Sequence, residues 1–183
     1  MQKTNWSQDA YIQAWDFACL AHRGQTYKGP QPGIVYEYSN HPAAVAIEVI
    51  HALQHHPEYD GDLAIQCALL HDTLEDTPVT FAELVETFGQ AVAEGVSALS
   101  KDSTLPKGEQ MADSLMRICQ QPREVWLVKL ADRTSNLQYV PPHWSGAKTQ
   151  AYRTQAWMIL EMLGTASPAL AQRLAEHIWR YAP

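Results

Sequence analysis

The sequence predicts a single all-α domain over residues 1–183, with at most a very short β-hairpin. Three observations lead there. Apolar residues recur at three- and four-residue spacings, as in Leu63, Cys67, Leu70 and Leu74, the pattern of helices that bury one face. Period-two alternation is weak and confined to residues 34–38, a candidate short strand. No repeat, linker or low-complexity tract divides the chain, and 183 residues suffice to bury a core without metal or disulfide staples.

Each element has its own signal. Ser7 can cap a helix running to about residue 22, with Tyr11, Trp15, Ala18 and Cys19 on one side. Residues 24–33 read as a loop, because Gly and Pro recur and no apolar period survives. Pro42 suits the first turn of the next helix, which carries Val45, Val49 and Ala52. A central helix is expected over about 62–75. Thr80 caps a short helix that ends at Gly89, and another covers about 90–99. Residues 100–108 form a polar loop holding Lys101 and Lys107. A helix then reaches about Cys119, and Pro122 opens a long one extending to about Tyr139. Pro141-Pro142-His143-Trp144-Ser145-Gly146 is a rigid connection to two amphipathic helices, about 148–163 and 168–181. Trp15, Trp126, Trp157 and Trp179 fall on helix faces and are expected in the core.

Composition excludes some roles. A net charge of −7 argues against broad binding of DNA or RNA, which requires a basic face to displace counterions. A small anion remains compatible, since a few lysines can be focused in one cleft. Cys19, Cys67 and Cys119 are odd in number, sit among apolar residues and lack Cys-x-x-Cys spacing, so they read as buried, reduced thiols. Without a signal peptide or a long apolar run, a soluble cytoplasmic protein with no membrane partner is expected. The oligomeric state has no signal in the sequence.

The chemistry concentrates in Ala68-Leu69-Leu70-His71-Asp72-Thr73-Leu74-Glu75-Asp76-Thr77. On a helix, His71, Asp72, Glu75 and Asp76 would span an arc of about 140°, with His71/Glu75 and Asp72/Asp76 stacked at i,i+4. The bland reading is a charged helix end facing water. Four groups able to bind a metal or move a proton within six residues favour a functional site. Adjacent residues on one helix cannot surround an ion, so further ligands must come from elsewhere. Asp132 and Asn136, with Lys129 near the same line, interrupt the otherwise apolar 125–137 segment and need a partner or a ligand to offset desolvation. A plain buried Lys129–Asp132 ion pair would meet that need equally. His41 is the best remaining imidazole, although spacing does not select it from eight histidines. His51, His55, His56 and His177 read as surface or hydrogen-bonded helix residues.

His41…His71-Asp72…Asp132 resembles the metal set of the HD phosphohydrolase superfamily. The flanks Ala21-His22-Arg23-Gly24-Gln25, Asn40-His41-Pro42, Leu70 to Thr77, and Lys129-Leu130-Ala131-Asp132-Arg133-x-x-Asn136-Leu137 resemble, more narrowly, the RelA/SpoT-type hydrolase domain. The match runs from about residue 8 to 180 and is similar to the stand-alone small alarmone hydrolases. The resemblance implies an HD-domain helical bundle and a metal-dependent 3′-pyrophosphohydrolase of (p)ppGpp and/or (p)ppApp, a small-molecule nucleotide substrate. By the same resemblance, His41, His71, Asp72 and Asp132 would bind one divalent ion, Mn2+ in this family. Glu75 and Asp76 match the pair that orients and deprotonates the attacking water. Asn136, Lys107, Lys148 and Tyr152 match nucleotide contacts. Tyr27-Lys28 stands where relatives commonly carry Arg-Lys against the base, and Ser135 stands where His or Tyr is frequent, which leaves the identity of the base open. An HD-type nucleotidase or phosphodiesterase, or a sensor that binds an alarmone without cleaving it, are the rival readings.

Overall fold

The computed structural model describes residues 5–181 except Pro30 and Pro32, two prolines of the 24–33 loop reading that lie outside the described residues. In chain order the elements are α1 (Gln8–Ala21), β1 (Thr26–Lys28), β2 (Val35–Glu37), α2 (Asn40–Leu53), α3 (Gly61–Leu70), α4 (Thr73–Asp76), α5 (Phe81–Phe88), α6 (Gln90–Leu99), α7 (Gln110–Cys119), α8 (Arg123–Asn136), α9 (Gly146–Leu163), a 3-10 turn (Gly164–Ala166) and α10 (Pro168–Arg180). It is a helical bundle with one small two-stranded ribbon, as the sequence predicts. None of the described helices is long and apolar enough to cross a membrane.

Two helices form the centre. α8 is enclosed by α2, α3, α9 and α10, and α3 by α1, α2, α6 and α8. Being enclosed on most sides, α8 buries Val125, Leu127, Val128, Leu130 and Ala131, more than one stripe would supply. α6 approaches both central helices closely at Gly95, where an added Cβ would lie 2.7 Å from Cys67 Sγ and 3.0 Å from Val125 Cγ2. Helix starts follow the sequence. Ser7, Asp60, Ser145 and Ser167 each accept a first-turn backbone N–H, and Thr80 with Glu83 forms a reciprocal capping box.

Four expectations are corrected. The predicted 62–75 helix breaks after Leu70, and α4 is a separate single turn. His71 Nδ1 lies 2.8 Å from the Ala68 carbonyl and Thr73 Oγ1 donates to the Leu70 carbonyl at 2.7 Å. These side chains satisfy terminal carbonyls of α3, so continuation of the helix is not required. The 24–33 loop contains β1, antiparallel to β2 with Tyr27 opposite Tyr36. Both strands run exposed, half-buried, exposed, so there was no apolar period to detect. Trp157 and Trp179 are 37 % and 68 % exposed and pack edge-on against each other, while Trp15 and Trp126 do pack on the core. Finally, of the three thiols only Cys67 is buried; Cys19 and Cys119 are half-buried.

Candidate metal centre and active site

Three separate pieces of backbone deliver the ligand set. His41 stands in the first turn of α2, where Pro42 costs no helical hydrogen bond. His71 and Asp72 form the break between α3 and α4. Asp132 projects from buried α8. His41 Nε2 lies 3.2 Å from His71 Nε2 and 3.4 Å from Asp132 Oδ1, and Asp72 Oδ2 is 2.9 Å from His71 Nε2 and 3.6 Å from His41 Nε2. Metal–ligand bonds of about 2.0–2.2 Å at angles near 90–109° place ligand atoms roughly 2.9–3.5 Å apart. His41, His71 and Asp132 each keep one ligand atom within 4.8 Å of the others, with His71 Nε2 3.9 Å from Asp132 Oδ1. Asp72 adjoins this group through the two histidines, so the donors gather near the spacing an ion requires. With His71 Nδ1 donating to the Ala68 carbonyl, its Nε2 lone pair faces the cluster, the usual outer support of a metal-binding imidazole.

The electrostatics fit a cation. Burial alone would lower the His71 pKa, but Asp72, hydrogen-bonded to it, and Asp132 outweigh this and push it up to about 9. Burial opposes ionisation of Asp72, yet His71 and His41 hold its carboxyl below the ordinary range. Asp132 is likewise held well down against its burial, chiefly by Lys129 and then by the two histidines. A metal ion at these groups would displace the proton His71 holds, since imidazole binds metal through its deprotonated nitrogen. Two imidazoles and two carboxylates suit a hard or borderline divalent ion.

Beside this cluster opens a cavity of about 600 Å³. Glu75, from α4, accepts from Lys101 twice: Nζ to Oε1 at 2.8 Å and backbone N–H to Oε2 at 2.9 Å. Asp76 has its main-chain carbonyl bound by Gln25 Nε2 at 2.7 Å, and the Tyr38 hydroxyl is 3.5 Å from its Oδ2. Burial, then Asp72 and Glu75, raise the Asp76 pKa. Tyr38 also donates to Asp72 Oδ2, and Asn136 Nδ2 donates to Asp132 Oδ1 at 2.5 Å. The buried Lys129–Asp132 pair exists at 3.1 Å, using Oδ2 and leaving Oδ1 toward the histidines.

Of the nucleotide contacts implied by the sequence, Tyr27, Asn136 and Tyr152 line the cavity together with His41, Asp72 and Asp132; His71 lies behind it. Lys28, Lys107 and Lys148 are exposed and lie outside the lining. Lys148 Nζ sits 4.2 Å over the ring of Trp144, which is itself in the cavity wall. Sequence reasoning missed Tyr38, Lys101, Arg133 and Trp144 as lining residues. Tyr38 lies three residues before His41, so a half-buried tyrosine beside a ligand was a signal within reach. Lys101 carried none, because only the fold brings the 100–108 loop to α4.

The family can now be stated. The sequence model of the HD domain matches residues 14–166, which include all four candidate ligands and the acidic pair. The chain belongs to the HD-domain family. Within that family it is 34% identical over 169 residues to guanosine-3′,5′-bis(diphosphate) 3′-pyrophosphohydrolase MESH1 of Danio rerio, covering 90% of each chain. It is 33% identical over 173 residues to the Homo sapiens MESH1, covering 92% of each. To the bifunctional (p)ppGpp synthase/hydrolase SpoT of Escherichia coli it is 36% identical over 137 residues, which are 72% of this chain and 17% of that protein. Among solved structures, one described as a metazoan ortholog of SpoT that hydrolyzes ppGpp superposes with a TM-score of 0.79 at 24% identity, covering 96% of this chain and 97% of that one. The protein lmo0812 of Listeria monocytogenes gives 0.62 at 22%, covering 79% and 95%. At those identities the HD-domain fold is what is shared.

Proposed function

We propose that this HD-domain protein is a metal-dependent 3′-pyrophosphohydrolase of alarmone nucleotides, (p)ppGpp and/or (p)ppApp. The observation that carries the reading is the grouping of His41, His71 and Asp132, with Asp72 against His71, at the wall of a cavity that Glu75 and Asp76 also line. Its similarity to the MESH1 hydrolases over 90% of the chain supports the same substrate class. The whole chain is read as one catalytic domain acting on a small nucleotide in the cytoplasm.

A divalent ion at the cluster, Mn2+ in this reading, supplies positive charge that polarises a phosphoryl oxygen and acidifies water. The chain's own groups do the rest. The acidic pair orients the attacking water and takes its proton. The water oxygen bonds to the phosphorus attached to O3′, the P–O3′ bond breaks with its electron pair on O3′, and O3′ takes up a proton. Pyrophosphate and a nucleoside di- or triphosphate result. Asn136 and Tyr152 are assigned to the ribose and phosphates, which their place in the cavity wall supports, and Lys107 and Lys148 are assigned to the phosphates on the family resemblance. Tyr27, stacked on Tyr36 with ring centroids 5.7 Å apart, offers an aromatic face to the base without the fixed donors of arginine, so the adenine alarmone is accepted alongside guanine.

Product analysis of the Mn2+-loaded protein with ppGpp, ppApp, a cyclic nucleotide and a nucleoside monophosphate tests the reading. Pyrophosphate from the first two is expected, with both turnover and bound metal lost in Asp72→Asn and His71→Ala. A nucleoside monophosphate from the cyclic nucleotide would instead make the protein a phosphodiesterase, and orthophosphate from the monophosphate would make it a nucleotidase. Tight binding of ppGpp with no product would make it a sensor.

A further inference from the structure

We infer that the acidic pair divides its labour: Asp76 is the general base, and Glu75 is a positioning residue for Lys101, a catalytic residue that binds the pyrophosphoryl group as it passes from O3′ to water. This rests on the hydrolase reading above and goes beyond it in assigning Lys101.

Glu75 is committed to one partner. Lys101 reaches both of its carboxylate oxygens, one with Nζ at 2.8 Å and one with its own backbone N–H at 2.9 Å. Both of its oxygens are thereby occupied by donors of one residue, which orients Glu75 toward Lys101. Asp76 is in the opposite situation. Its carboxylate makes no ion pair among the described residues, and Asp76 lines the cavity beside Asp72 and Asp132. Gln25 fixes its main chain and the Tyr38 hydroxyl borders its Oδ2, so it is oriented without being neutralised.

Lys101 is the cation best placed to meet a phosphate. Three Lys or Arg side chains line the cavity among the described residues: Lys101, Lys129 and Arg133. Lys129 is only 8 % exposed and is bound to Asp132. Arg133 is buried, with its guanidinium 3.8 Å over the Tyr152 ring and Nη1 donating to the Tyr152 carbonyl. Lys101 is 38 % exposed and its ammonium gives one of three N–H groups to Glu75, which leaves two for a ligand. The loop it begins is fixed from behind: Arg117 donates to the carbonyls of Ser97 at 2.5 Å and Ser100 at 2.8 Å. Lys101 is therefore held by its backbone on one side and by Glu75 on the other.

The charge balance asks for such a group. Asp72, Glu75, Asp76 and Asp132 all border the cavity, and an incoming pyrophosphate adds further negative charge. A preorganised ammonium at the phosphoryl oxygens offsets charge as the P–O3′ bond breaks. In that step water gives its proton to Asp76, its oxygen bonds to phosphorus, and O3′ leaves with the bonding pair. The proton then on Asp76 equals the one O3′ requires, so the cycle closes with one water consumed.

The test uses K101M, K101R, E75Q, D76N and the double variant K101M/E75Q of the full chain. Each is assayed for pyrophosphate release, and separately for binding of inorganic pyrophosphate to the Mn2+-loaded protein by calorimetry. K101M is expected to lower kcat by about 10²–10³-fold, the scale for losing one preorganised donor, and to weaken pyrophosphate by about tenfold or more. E75Q should weaken pyrophosphate less than K101M, and the double variant should be no worse than K101M, because Glu75 acts through Lys101. D76N should lose about 10²–10⁴-fold in kcat while binding pyrophosphate as the wild type does. K101R should recover part of the binding, which a loss of folding would not. Multiplying losses in the double variant, or equal pyrophosphate affinity in K101M and wild type, would overturn the assignment. A wild type that releases no pyrophosphate from any alarmone would overturn the hydrolase reading instead, and the binding titrations would still decide Lys101.

Discussion

Replacing Tyr38 with Phe should weaken metal binding without unfolding the site. The Tyr38 ring packs 4.7 Å from the His22 ring and 5.8 Å from that of His41, contacts that Phe retains. Only the hydroxyl that donates to Asp72 Oδ2 is removed. Burial, then Asp72, raise the phenol pKa far above its ordinary value, so the wild-type donor is present at every working pH. A hydrogen bond to a charged group contributes about 1.5–3 kcal/mol. Asp72 keeps His71 as a partner, and its side chain is 21 % exposed, so solvent replaces part of the loss. The lower half of the range applies, about 1.5–2 kcal/mol, or roughly 10- to 30-fold in affinity. Outer-shell partners of metal ligands typically cost about 10–100-fold, which brackets the same value. Competition with a chromophoric chelator measures the Mn2+ affinity, and the melting temperature of the metal-free protein controls for folding. A Tyr38→Phe protein binding Mn2+ within about twofold of wild type would show that the hydroxyl does not support Asp72.

Three further outcomes follow from other parts of the molecule. In chelator, the melting temperature should fall between pH 6.5 and 9: the His71 pKa of about 9 lies above the unfolded value near 6.5, so its contribution is whole below about 6.5 and is lost as pH rises through about 9. The Mn2+-loaded protein should fall less, and a flat metal-free profile would contradict the electrostatics of the cluster. Gly95→Ala should destabilise by about 1–2 kcal/mol, since overpacking against Cys67 and Val125 exceeds the gain in helix propensity, and adding Cys67→Ala should recover part of it in urea denaturation. Tyr27→Arg should shift kcat/KM toward ppGpp relative to ppApp by roughly tenfold; an unchanged ratio would show that Tyr27 does not read the base.

What the sequence made legible were features that need no knowledge of tertiary contacts. Polar residues inside apolar α8 needed a partner or a ligand to offset their burial, and Asp132 and Asn136 do have hydrogen-bonded partners. Ser7, Thr80 and Pro42 marked helix starts by local chemistry. The break at His71 was hidden because spacing cannot reveal a side chain that turns back to a carbonyl of its own helix, as His71 and Thr73 do. Lys101 and Lys107 look alike in the same polar loop, and only the packing of that loop against α4 places the first in the cavity wall. Trp157 and Trp179 satisfied a helical spacing too, yet they cover each other at the surface instead of entering the core.

Asp132 shows why a structural and a functional reading of one buried residue need not compete. An isolated carboxylate at that depth would be costly, and a Lys129 partner offsets part of that cost whether or not a metal is present. But a carboxylate has two oxygens. Lys129 occupies Oδ2, while Oδ1 faces His41 at 3.4 Å and receives Asn136 at 2.5 Å. The ion pair thus fixes the side chain's orientation, so that its second oxygen, which also accepts from Asn136, faces the histidines. Lys129 also supplies one positive charge beside four carboxylates, which limits the self-repulsion that the metal-free cluster must bear. At Glu75, by contrast, Lys101 takes both oxygens, and at Asp76 no cation among the described residues takes either. Counting partners atom by atom therefore separates three carboxylates that the sequence could not tell apart: Asp132 to hold an ion, Glu75 to hold a lysine, and Asp76 to receive a proton.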